Sequence, residues 1–543
     1  MDLSRRPFLK LLLAAGAMPR VWATSDESPL LRVGIMTDTH VTPKRKSFER
    51  VEKAYALFRR KGVNVIVNCG DIANAFFPEA YKTYCEVRRA AYPDRTKAPD
   101  ELYVWANHDT MNWPGKSSKG HPEAFAEVKR LLQIPNEAYD ERVYAGFTFL
   151  VVPQWLDRQR YESMLDRACA ANPGRPVFVF DHVPPRATTD NSRHWGDAYR
   201  REVLSRHPQV INITGHAHGS LRNEQNIWQG AFTNVSAGCL TYFDGEYVGT
   251  ADNGNGQNHA VLVLELFANR AVFRRYSLID GSEIGSEAPW TVVWPHDPQK
   301  AAYAPANAAR RHAAPAFPEK ASLSVCPSGA GLSVSWPRVE TDGDVHFYRL
   351  ELARREASGA WRTFAVREVR GDFWKEPAER RATLTDKLDA GYFRAGGPVR
   401  LTVAPVDFWN TAGRPLVWEG TPDLPAGELV WEGIPKGLEK DKWFRLRHWK
   451  ELYDLPFVLP ADGRYRAIVD FAAEQGVDET VAVSFKLKST PYAAECSTPA
   501  GSSDLRYVFV SPRGWKKGDV CNLMVRYASA GRFQVKNIRV ERI

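Results

Sequence analysis

Up to about residue 277, short apolar runs alternate with segments in which apolar residues recur at helical spacing. The apolar runs predict strands at Leu31–Thr37, Val63–Val67, Leu102–Trp105, Phe147–Val152, Val177–Phe180, Val210–Ile213, Ala260–Leu266 and Ala271–Ser277. Ser47–Lys61 predicts a helix, for which Ser47 is a suitable N-cap and Gly62 a suitable end, and Pro122–Leu132 predicts a second helix. Strands that alternate with helices in this way predict a layered α/β domain, placed at residues 28–296.

The pattern changes after residue 296. Residues 297–320 are rich in Ala, Pro and Arg without an apolar period, and predict a semi-rigid linker. Only strand-type segments follow. The run over residues 321–425, with Trp336 and Tyr348, resembles a fibronectin type III domain. Residues 426–543 resemble a jelly-roll sandwich of the kind often found in carbohydrate-binding modules, and a stabilising or spacer role fits these segments equally well. We therefore expect two all-β sandwich domains.

Composition excludes several classes of protein. Of the 543 residues, 44% are hydrophobic and 25% are charged, which is the balance of a globular chain rather than a disordered one. The formal net charge is +9, but Lys and Arg form no dense block, so the sequence does not predict a nucleic-acid groove. No apolar run reaches the ~20 residues of a membrane span. The seven cysteines do not form a disulfide framework, although Cys496 and Cys521 could pair in an oxidising compartment.

The N-terminus carries the features of an export signal. Ser4-Arg5-Arg6-Pro7-Phe8-Leu9-Lys10 precedes a short apolar stretch, Leu11–Ala17, and resembles the twin-arginine (Tat) signal. We expect cleavage after Ala23, so that residues 1–23 are the signal peptide. The resemblance implies recognition by the Tat export machinery, export in a folded and often metal-loaded state, and a periplasmic or secreted bacterial protein.

Five short polar elements follow predicted strands in order. They are Asp38-Thr39-His40, Gly70-Asp71, Asn107-His108-Asp109, His182 and Gly215-His216-Ala217-His218. In an α/β sheet, ligands bind beyond the carboxyl ends of the strands, so we expect these side chains to meet at one edge. Aspartate, histidine and asparagine together suit borderline divalent metals such as Mn, Fe or Zn, and a carboxylate can bridge two ions.

The ordered set D-x-H, G-D, N-H-D, H and G-H-x-H resembles that of the calcineurin-like dinuclear metallophosphoesterases over roughly residues 31–280. The resemblance implies a four-layer α/β sandwich and two divalent metal ions. The implied ligands of the first ion are Asp38, His40, Asp71 and His218, and those of the second are Asp71, Asn107, His182 and His216. The resemblance further implies that His108 is the general acid and that Asp109 orients it.

Two positions depart from the family pattern. Ala106 replaces the usual glycine before the asparagine, and Asn74 stands where a second aspartate is common, which removes one negative charge beside the centre and bears on metal preference and substrate orientation. Asn74 is therefore also a candidate substrate contact. Further candidates for binding a substrate phosphate follow His182 in the sequence: Arg186, Arg193 and His194.

The sequence thus predicts an exported hydrolase that cleaves a phosphomonoester or phosphodiester by attack of a metal-bridging hydroxide, with His108 as proton donor. The alternative is a cell-envelope or glycan-binding protein whose β-domains bind the ligand and whose phosphoesterase domain is degenerate. Because no predicted metal ligand is missing, the enzyme is favoured. A metal-dependent nuclease is disfavoured by the lack of a basic stripe.

Overall fold

The computed structural model of the chain describes residues 28–543 except 115–121, 135–136, 243–259, 286–288, 308–312, 330, 340–344, 376, 395, 447–449, 475–480, 488–497, 500–503, 512–513 and 527–531. The signal predicted at residues 1–23 lies outside the described residues, as does Cys496, for which pairing with Cys521 was considered. Within the described ranges, no helix is long and apolar enough to cross a membrane.

The N-terminal region contains twelve described strands and seven described α-helices. The strands are β1 (Leu31–Met36), β2 (Val65–Asn68), β3 (Asp100–Tyr103), β4 (Asp140–Tyr144), β5 (Phe147–Val151), β6 (Val177–Phe180), β7 (Val210–Thr214), β8 (Ile227–Gln229), β9 (Thr233–Ser236), β10 (Ala260–Leu266), β11 (Arg270–Ser277) and β12 (Trp290–Val293). The helices are α1 (Glu49–Lys61), α2 (Pro78–Ala91), α3 (Asn107–Thr110), α4 (Pro122–Leu132), α5 (Arg158–Ala171), α6 (Ser192–Trp195) and α7 (Ala198–Leu204).

These strands form two six-stranded mixed sheets. One has the order β12-β11-β10-β1-β2-β3, in which β1, β2 and β3 are parallel, and the other has the order β4-β5-β6-β7-β9-β8, in which β5, β6, β7 and β9 are parallel. The register places Ile35 beside Val67 and Val67 beside Leu102. Parallel strands are buried on both faces, which explains why they are continuous apolar runs in the sequence.

Three hydrophobic cores separate four layers. The central core lies between the sheets and joins residues such as Val33 and Val65 to Phe149 and Phe178. A second core packs helices α1, α2 and α4 on the outer face of the first sheet, and a third packs α5 and α7 on the outer face of the second. The N-terminal domain is therefore the predicted α/β sandwich of two sheets flanked by helices.

The predicted elements are found within a few residues of their expected bounds. Gly62 ends α1 in the left-handed conformation at φ 63°, as predicted for a C-cap glycine. The predicted N-cap is wrong, because Phe48 occupies that position and the Ser47 hydroxyl instead donates to the carbonyl oxygens of Thr42 and Lys44. A short 3-10 turn at Arg45–Phe48 precedes the helix and displaces the cap.

The C-terminal region consists of several all-β sheets. Its strands are β13 (Ser324–Ser328), β14 (Gly331–Pro337), β15 (Phe347–Arg355), β16 (Trp361–Arg370), β17 (Thr383–Asp389), β18 (Val399–Val406), β19 (Leu416–Gly420), β20 (Glu428–Gly433), β21 (Phe444–Arg445), β22 (Lys450–Val458), β23 (Tyr465–Ala473), β24 (Ala482–Leu487), β25 (Thr498–Pro499), β26 (Leu505–Val510), β27 (Val520–Arg526) and β28 (Arg532–Arg542). Sheets β13-β14-β17 and β16-β15-β18-β19 enclose one core, and sheets β20-β28-β23-β26 and β22-β27-β24-β25 enclose another.

The segment predicted as a linker packs on both of its neighbours. Tyr303 is buried in the central core of the N-terminal domain, where its hydroxyl accepts from Thr291 N at 3.0 Å and its carbonyl oxygen accepts from Gln229 N at 3.1 Å. Further along, Phe317 stacks on Tyr348 of the first β-sandwich. The boundary predicted at residue 296 therefore falls inside a segment that belongs to the N-terminal domain up to Tyr303.

Candidate metal centre

The polar loops that follow β1, β2, β3, β6 and β7 meet at one edge of the two-sheet sandwich. Main-chain hydrogen bonds join them: Asp38 N donates to Gly70 O at 3.0 Å, and His40 N donates to Asp71 O at 3.0 Å. Across the sheets, His216 N donates to the Asp38 carboxylate at 3.0 Å. The parallel strands deliver these loops to a common edge, as the sequence predicted.

The backbone of this edge is strained where it carries the candidate ligands. Asp38, His40, Asp71, His216 and His218 all have positive φ, at 49°, 39°, 51°, 65° and 49°. Aspartate and histidine enter this left-handed region more readily than bulky residues, but each such residue still costs about 1–2 kcal/mol. Such strain concentrates at functional sites, where the surrounding structure over-determines the conformation.

Glycine is required in the G-D element for steric reasons. Gly70 has φ 102°, and a Cβ at this position would lie 2.6 Å from Ala106 Cβ and 2.7 Å from His182 Nδ1. The absence of a side chain thus lets three ligand-bearing loops approach one another. Ala106 fits in place of the family's glycine, because its Cβ occupies the space that Gly70 leaves open.

Candidate ligand atoms gather in three overlapping groups, each within 4.8 Å: Asp38, His40 and His218; Asp71, His182 and His216; and His40, Asp71 and His108. In the first group, His218 Nε2 lies 3.1 Å from Asp38 Oδ1 and 3.1 Å from His40 Nε2. In the second, His182 Nε2 lies 3.2 Å from Asp71 Oδ2 and 3.2 Å from His216 Nδ1. Asp71 belongs to two of the groups, which is the arrangement a bridging carboxylate needs.

The donor atoms fit two divalent cations. Among the described residues, Asn107 Oδ1 is buried and makes no hydrogen bond, so this oxygen is available as a ligand. Asp38 Oδ1 is also buried, and it faces two other candidate ligands, His218 and His40. His182 Nδ1 donates to Cys69 O at 2.8 Å, which directs Nε2 towards Asp71. A backbone carbonyl in this position fixes the tautomer of metal-binding histidines. Mixed imidazole, carboxylate and amide donors suit borderline metals.

The charges at the centre are strongly coupled. Burial alone would raise the pKa of Asp71, but nearby His182 and His40 outweigh it and hold that pKa below its ordinary value. Burial opposes protonation of His182, yet Asp71 and Asp38 raise its pKa to about 9, whereas burial and His182 lower the pKa of His216 to about 3. A proton on His182 thus balances buried carboxylate charge, and a cation bound there would displace it.

His108 lies beside the ligands with its ring fixed. Its Nδ1 donates to Asn74 O at 2.8 Å, its main-chain N–H donates to Asp71 Oδ1 at 2.9 Å, and its ring meets the His40 ring edge-on at a centroid distance of 4.6 Å. The hydrogen bond to Asn74 O leaves Nε2 to act towards the substrate or a metal. The described residues place His108 close enough to His40 and Asp71 for either role.

The structure gives the Asp109 carboxylate partners other than His108, which it was predicted to orient. Its Oδ1 accepts from Ile72 N at 3.1 Å, Ala73 N at 3.3 Å and the Tyr81 hydroxyl at 3.2 Å, and within the described part of the chain it makes no hydrogen bond to His108. The carboxylate therefore holds the loop that carries Asp71. Burial, followed by the charge of Asp71, raises the Asp109 pKa to about 8.

The structure places the four predicted substrate contacts in different environments. Asn74 is exposed, and it contacts His108 through its main-chain carbonyl oxygen. Arg186 is partly buried, and its carbonyl oxygen accepts from Arg201 at 3.2 Å. Arg193 is exposed on α6, and the side chain of His194 lies outside the described residues. Trp195, at the end of α6, packs edge-on against His216 at a centroid distance of 5.6 Å.

Sequence reasoning missed Cys239, which borders the centre. Its Sγ lies 3.5 Å from His218 Nδ1, and the same Nδ1 lies 3.2 Å from the carbonyl oxygen of Tyr242. The segment follows β9, which is parallel to β7 and so ends at the same edge. Because β9 contains Thr233, Asn234 and Ser236, a search for apolar runs does not detect it, although its proximity in sequence to G-H-x-H was a usable signal.

The comparison with protein families agrees with this geometry. Residues 31–220 match the family described as calcineurin-like phosphoesterase. No curated protein matches the chain.

Among solved structures, the chain is similar to a dimetal phosphatase from Danio rerio, with 14% identity and a TM-score of 0.32 over 49% of this chain and 100% of that one. It is also similar to BiXyn10A CBM1 in its apo form, with 14% identity and a TM-score of 0.14 over 22% and 92% of the two chains. A third similar structure is an exo-β-1,3-galactanase from Phanerochaete chrysosporium with galactose, with 8% identity and a TM-score of 0.18 over 54% and 67%. Residues 31–220 thus match the calcineurin-like phosphoesterase model and contain all of the converging candidate ligand groups, and all-β sheets follow this α/β domain.

Proposed function

We propose that the protein is an exported, dinuclear-metal phosphoesterase that hydrolyses a phosphomonoester or phosphodiester. The observation that carries the proposal is the convergence of Asp38, His40 and His218 on one side of Asp71, and of His182 and His216 on the other. Two cation positions that share one carboxylate explain why so many ionisable side chains are buried at a single edge. Mn, Fe and Zn all suit these donors.

Each side chain has a distinct role in this proposal. Asp71 is shared between the two cations, and Asn107 completes the set with His182 and His216 through its buried Oδ1. When bound, the cations would supply Lewis acidity and an activated water for attack on phosphorus. His108, with Nδ1 held by Asn74 O, presents Nε2 to donate a proton to the departing oxygen.

Export through the Tat machinery belongs to the same proposal. It is supported by the pattern of Arg5, Arg6 and the following apolar stretch. Replacing both arginines by lysine in the full chain should abolish its appearance in the periplasm of a bacterial host, while the unmodified chain is exported. Export of the double variant at the normal level would contradict the Tat assignment.

The two β-sandwiches are proposed to be a fibronectin type III-like domain and a jelly-roll-like domain. The three-plus-four strand order around the core of Trp336 and Tyr348 supports the first assignment. In this proposal they join the catalytic domain to a glycan or other cell-envelope component. The rival, in which this binding is the whole function, requires a degenerate metal centre. Six of the seven predicted ligands lie in the converging groups, which supports the enzyme: Asp38, His40, Asp71, His182, His216 and His218.

The test is hydrolysis by metal-stripped and reconstituted protein. The full chain is treated with a chelator, reloaded separately with Mn²⁺, Fe²⁺ or Zn²⁺, and assayed on 4-nitrophenyl phosphate and bis(4-nitrophenyl) phosphate. We expect turnover that depends on reloading, together with two bound ions by elemental analysis. A folded chain that retains two ions and hydrolyses neither ester would contradict the proposal and favour the binding protein.

A further inference from the structure

A buried ion pair lies directly behind His182. Asp181 Oδ1 accepts from the main-chain N–H of His182 at 2.7 Å, and Asp181 Oδ2 accepts from Arg200 Nε at 2.6 Å. Asp181 and His182 are 0% exposed and Arg200 is 2% exposed. The pair therefore fixes the main chain of a candidate ligand, His182.

The same guanidinium reaches a second ligand-bearing loop. Arg200 Nη2 donates to Gln154 O at 2.7 Å, and Gln154 N donates to Trp105 O at 3.0 Å, two residues before Asn107. Arg200 Nη1 donates to Asp197 Oδ2 at 3.0 Å. A single side chain on α7 thus connects the loops of His182 and Asn107.

Stability alone does not explain this pair. Two fully desolvated charges are often no more stabilising than apolar residues of the same volume, so a buried pair calls for another reason. The planar guanidinium offers several donors in fixed directions, and here they serve Asp181, Asp197 and Gln154 at once. A lysine, with a single ammonium group on a flexible stem, cannot reproduce that geometry.

We propose that Arg200 and Asp181 are positioning residues that set the affinity of the cation held by Asp71, Asn107, His182 and His216. The inference rests on the proposed dinuclear centre and predicts that its two cation positions respond differently to the loss of Arg200. Neither residue touches a candidate cation position, so the effect is transmitted through the main chain of His182 and the Trp105 loop.

The effect should be selective for one cation. The other position depends on contacts independent of Arg200: the Thr37 hydroxyl donates to the Asp38 carboxylate at 2.6 Å, and His218 Nδ1 lies 3.2 Å from Tyr242 O. Residues that orient metal ligands typically change metal affinity by about 10–100-fold when they are replaced. We therefore expect a loss of about that size for one cation, with the other unaffected.

The experiment is a Co²⁺ titration of the metal-stripped full chain. Binding is monitored by calorimetry and by the visible absorption of bound Co²⁺. Arg200→Lys is compared with the unmodified chain and with Arg88→Lys. Arg88 is a matched control because it is 4% exposed, lies in the same domain and faces Glu101 at 3.6 Å, on the helical layer of the first sheet. The double variant Asp181→Asn/Arg200→Gln removes both charges. It takes the place of Arg200→Lys in the comparison if Arg200→Lys fails to fold.

The expected result is two binding events in the unmodified chain and in Arg88→Lys, with one of the two weakened about 10–100-fold in Arg200→Lys or in the double variant. Unchanged affinities in a folded Arg200 variant would overturn the inference while leaving the dinuclear centre intact. Equal weakening of both events, or the same loss in Arg88→Lys, would also overturn it, because the effect would then be general destabilisation. Fewer than two events in the unmodified chain would instead refute the proposed function.

Discussion

Replacing His108 by alanine separates proton donation from metal binding. The main-chain N–H that donates to Asp71 at 2.9 Å is retained in the variant, so the loop of the bridging carboxylate should keep its shape. Only the ring, fixed by Asn74 O, is lost. General acid catalysis contributes about 10²–10⁴-fold, so we expect kcat to fall by that factor. The corresponding increase in the activation barrier is about 2.7–5.4 kcal/mol.

The loss should depend on the leaving group. A nitrophenolate departs as a stable anion and needs little protonation, whereas an alkoxide needs the proton. We therefore expect His108→Ala to impair glycerol phosphate much more than 4-nitrophenyl phosphate, with metal content unchanged by elemental analysis. Asn74→Ala is the matched control: the contact to His108 Nδ1 comes from the main-chain carbonyl, which the substitution retains, so we expect no loss of the ~10²–10⁴-fold size predicted for His108→Ala.

Two results would refute this reasoning in different ways. Equal losses on both esters would mean that His108 binds or positions the phosphate rather than donating a proton. Loss of a metal ion would mean that His108 is itself a ligand, a role for which its position near His40 and Asp71 is close enough.

Three further predictions concern the bridging carboxylate and two buried groups of the β-sandwiches. Asp71→Asn removes the shared carboxylate, and we expect bound metal to fall to one ion or fewer and turnover to disappear, as checked by elemental analysis and ester hydrolysis. Burial, aided by Arg370, lowers the His346 pKa to about 3, so the unfolded chain binds a proton below pH 6.5 that the folded chain refuses. Stability should fall by up to about 1.4 kcal/mol per pH unit below pH 6.5, and denaturant titrations of His346→Phe should show a weaker dependence. Glu541 is 0% exposed and pairs with Arg466 at 2.7 Å, so Glu541→Ala should destabilise the β-region by about 3–5 kcal/mol in thermal melts without changing the KM for ester substrates.

The position of the metal centre could be predicted from the sequence because the motifs that mark it are local. Asp38, Asp71, His182 and His218 each follow a short apolar run, and parallel strands must end together. The structure brings these residues to one place, and their binding of metal stays a prediction. The glycine of G-D also has a local reason, since the left-handed backbone at Gly70 leaves no room for a Cβ.

The partners of the polar groups could not be predicted in the same way. Asp109 is adjacent to His108 in sequence, but a short helical turn directs its carboxylate to Ile72, Ala73 and Tyr81 instead. Helix α2, which supplies Tyr81, also escaped detection. Its buried face is built of aromatic, small and even charged residues, including Arg88, and therefore has no clear apolar stripe.

The difference between what was predicted and what was missed has a physical origin at the centre itself. A local rule places Asp38 and Asp71 at strand ends, but only the assembled domain can hold both buried carboxylates together against their repulsion and desolvation. The backbone at both residues is left-handed, and hydrogen bonds from distant loops hold it there. At this edge, the sequence patterns that favour the fold therefore conflict with the backbone conformations that the site requires. Such local conflict is expected at functional sites, where the geometry that catalysis needs lowers the stability of the fold. It identifies the same edge of the sandwich as the sequence motifs do.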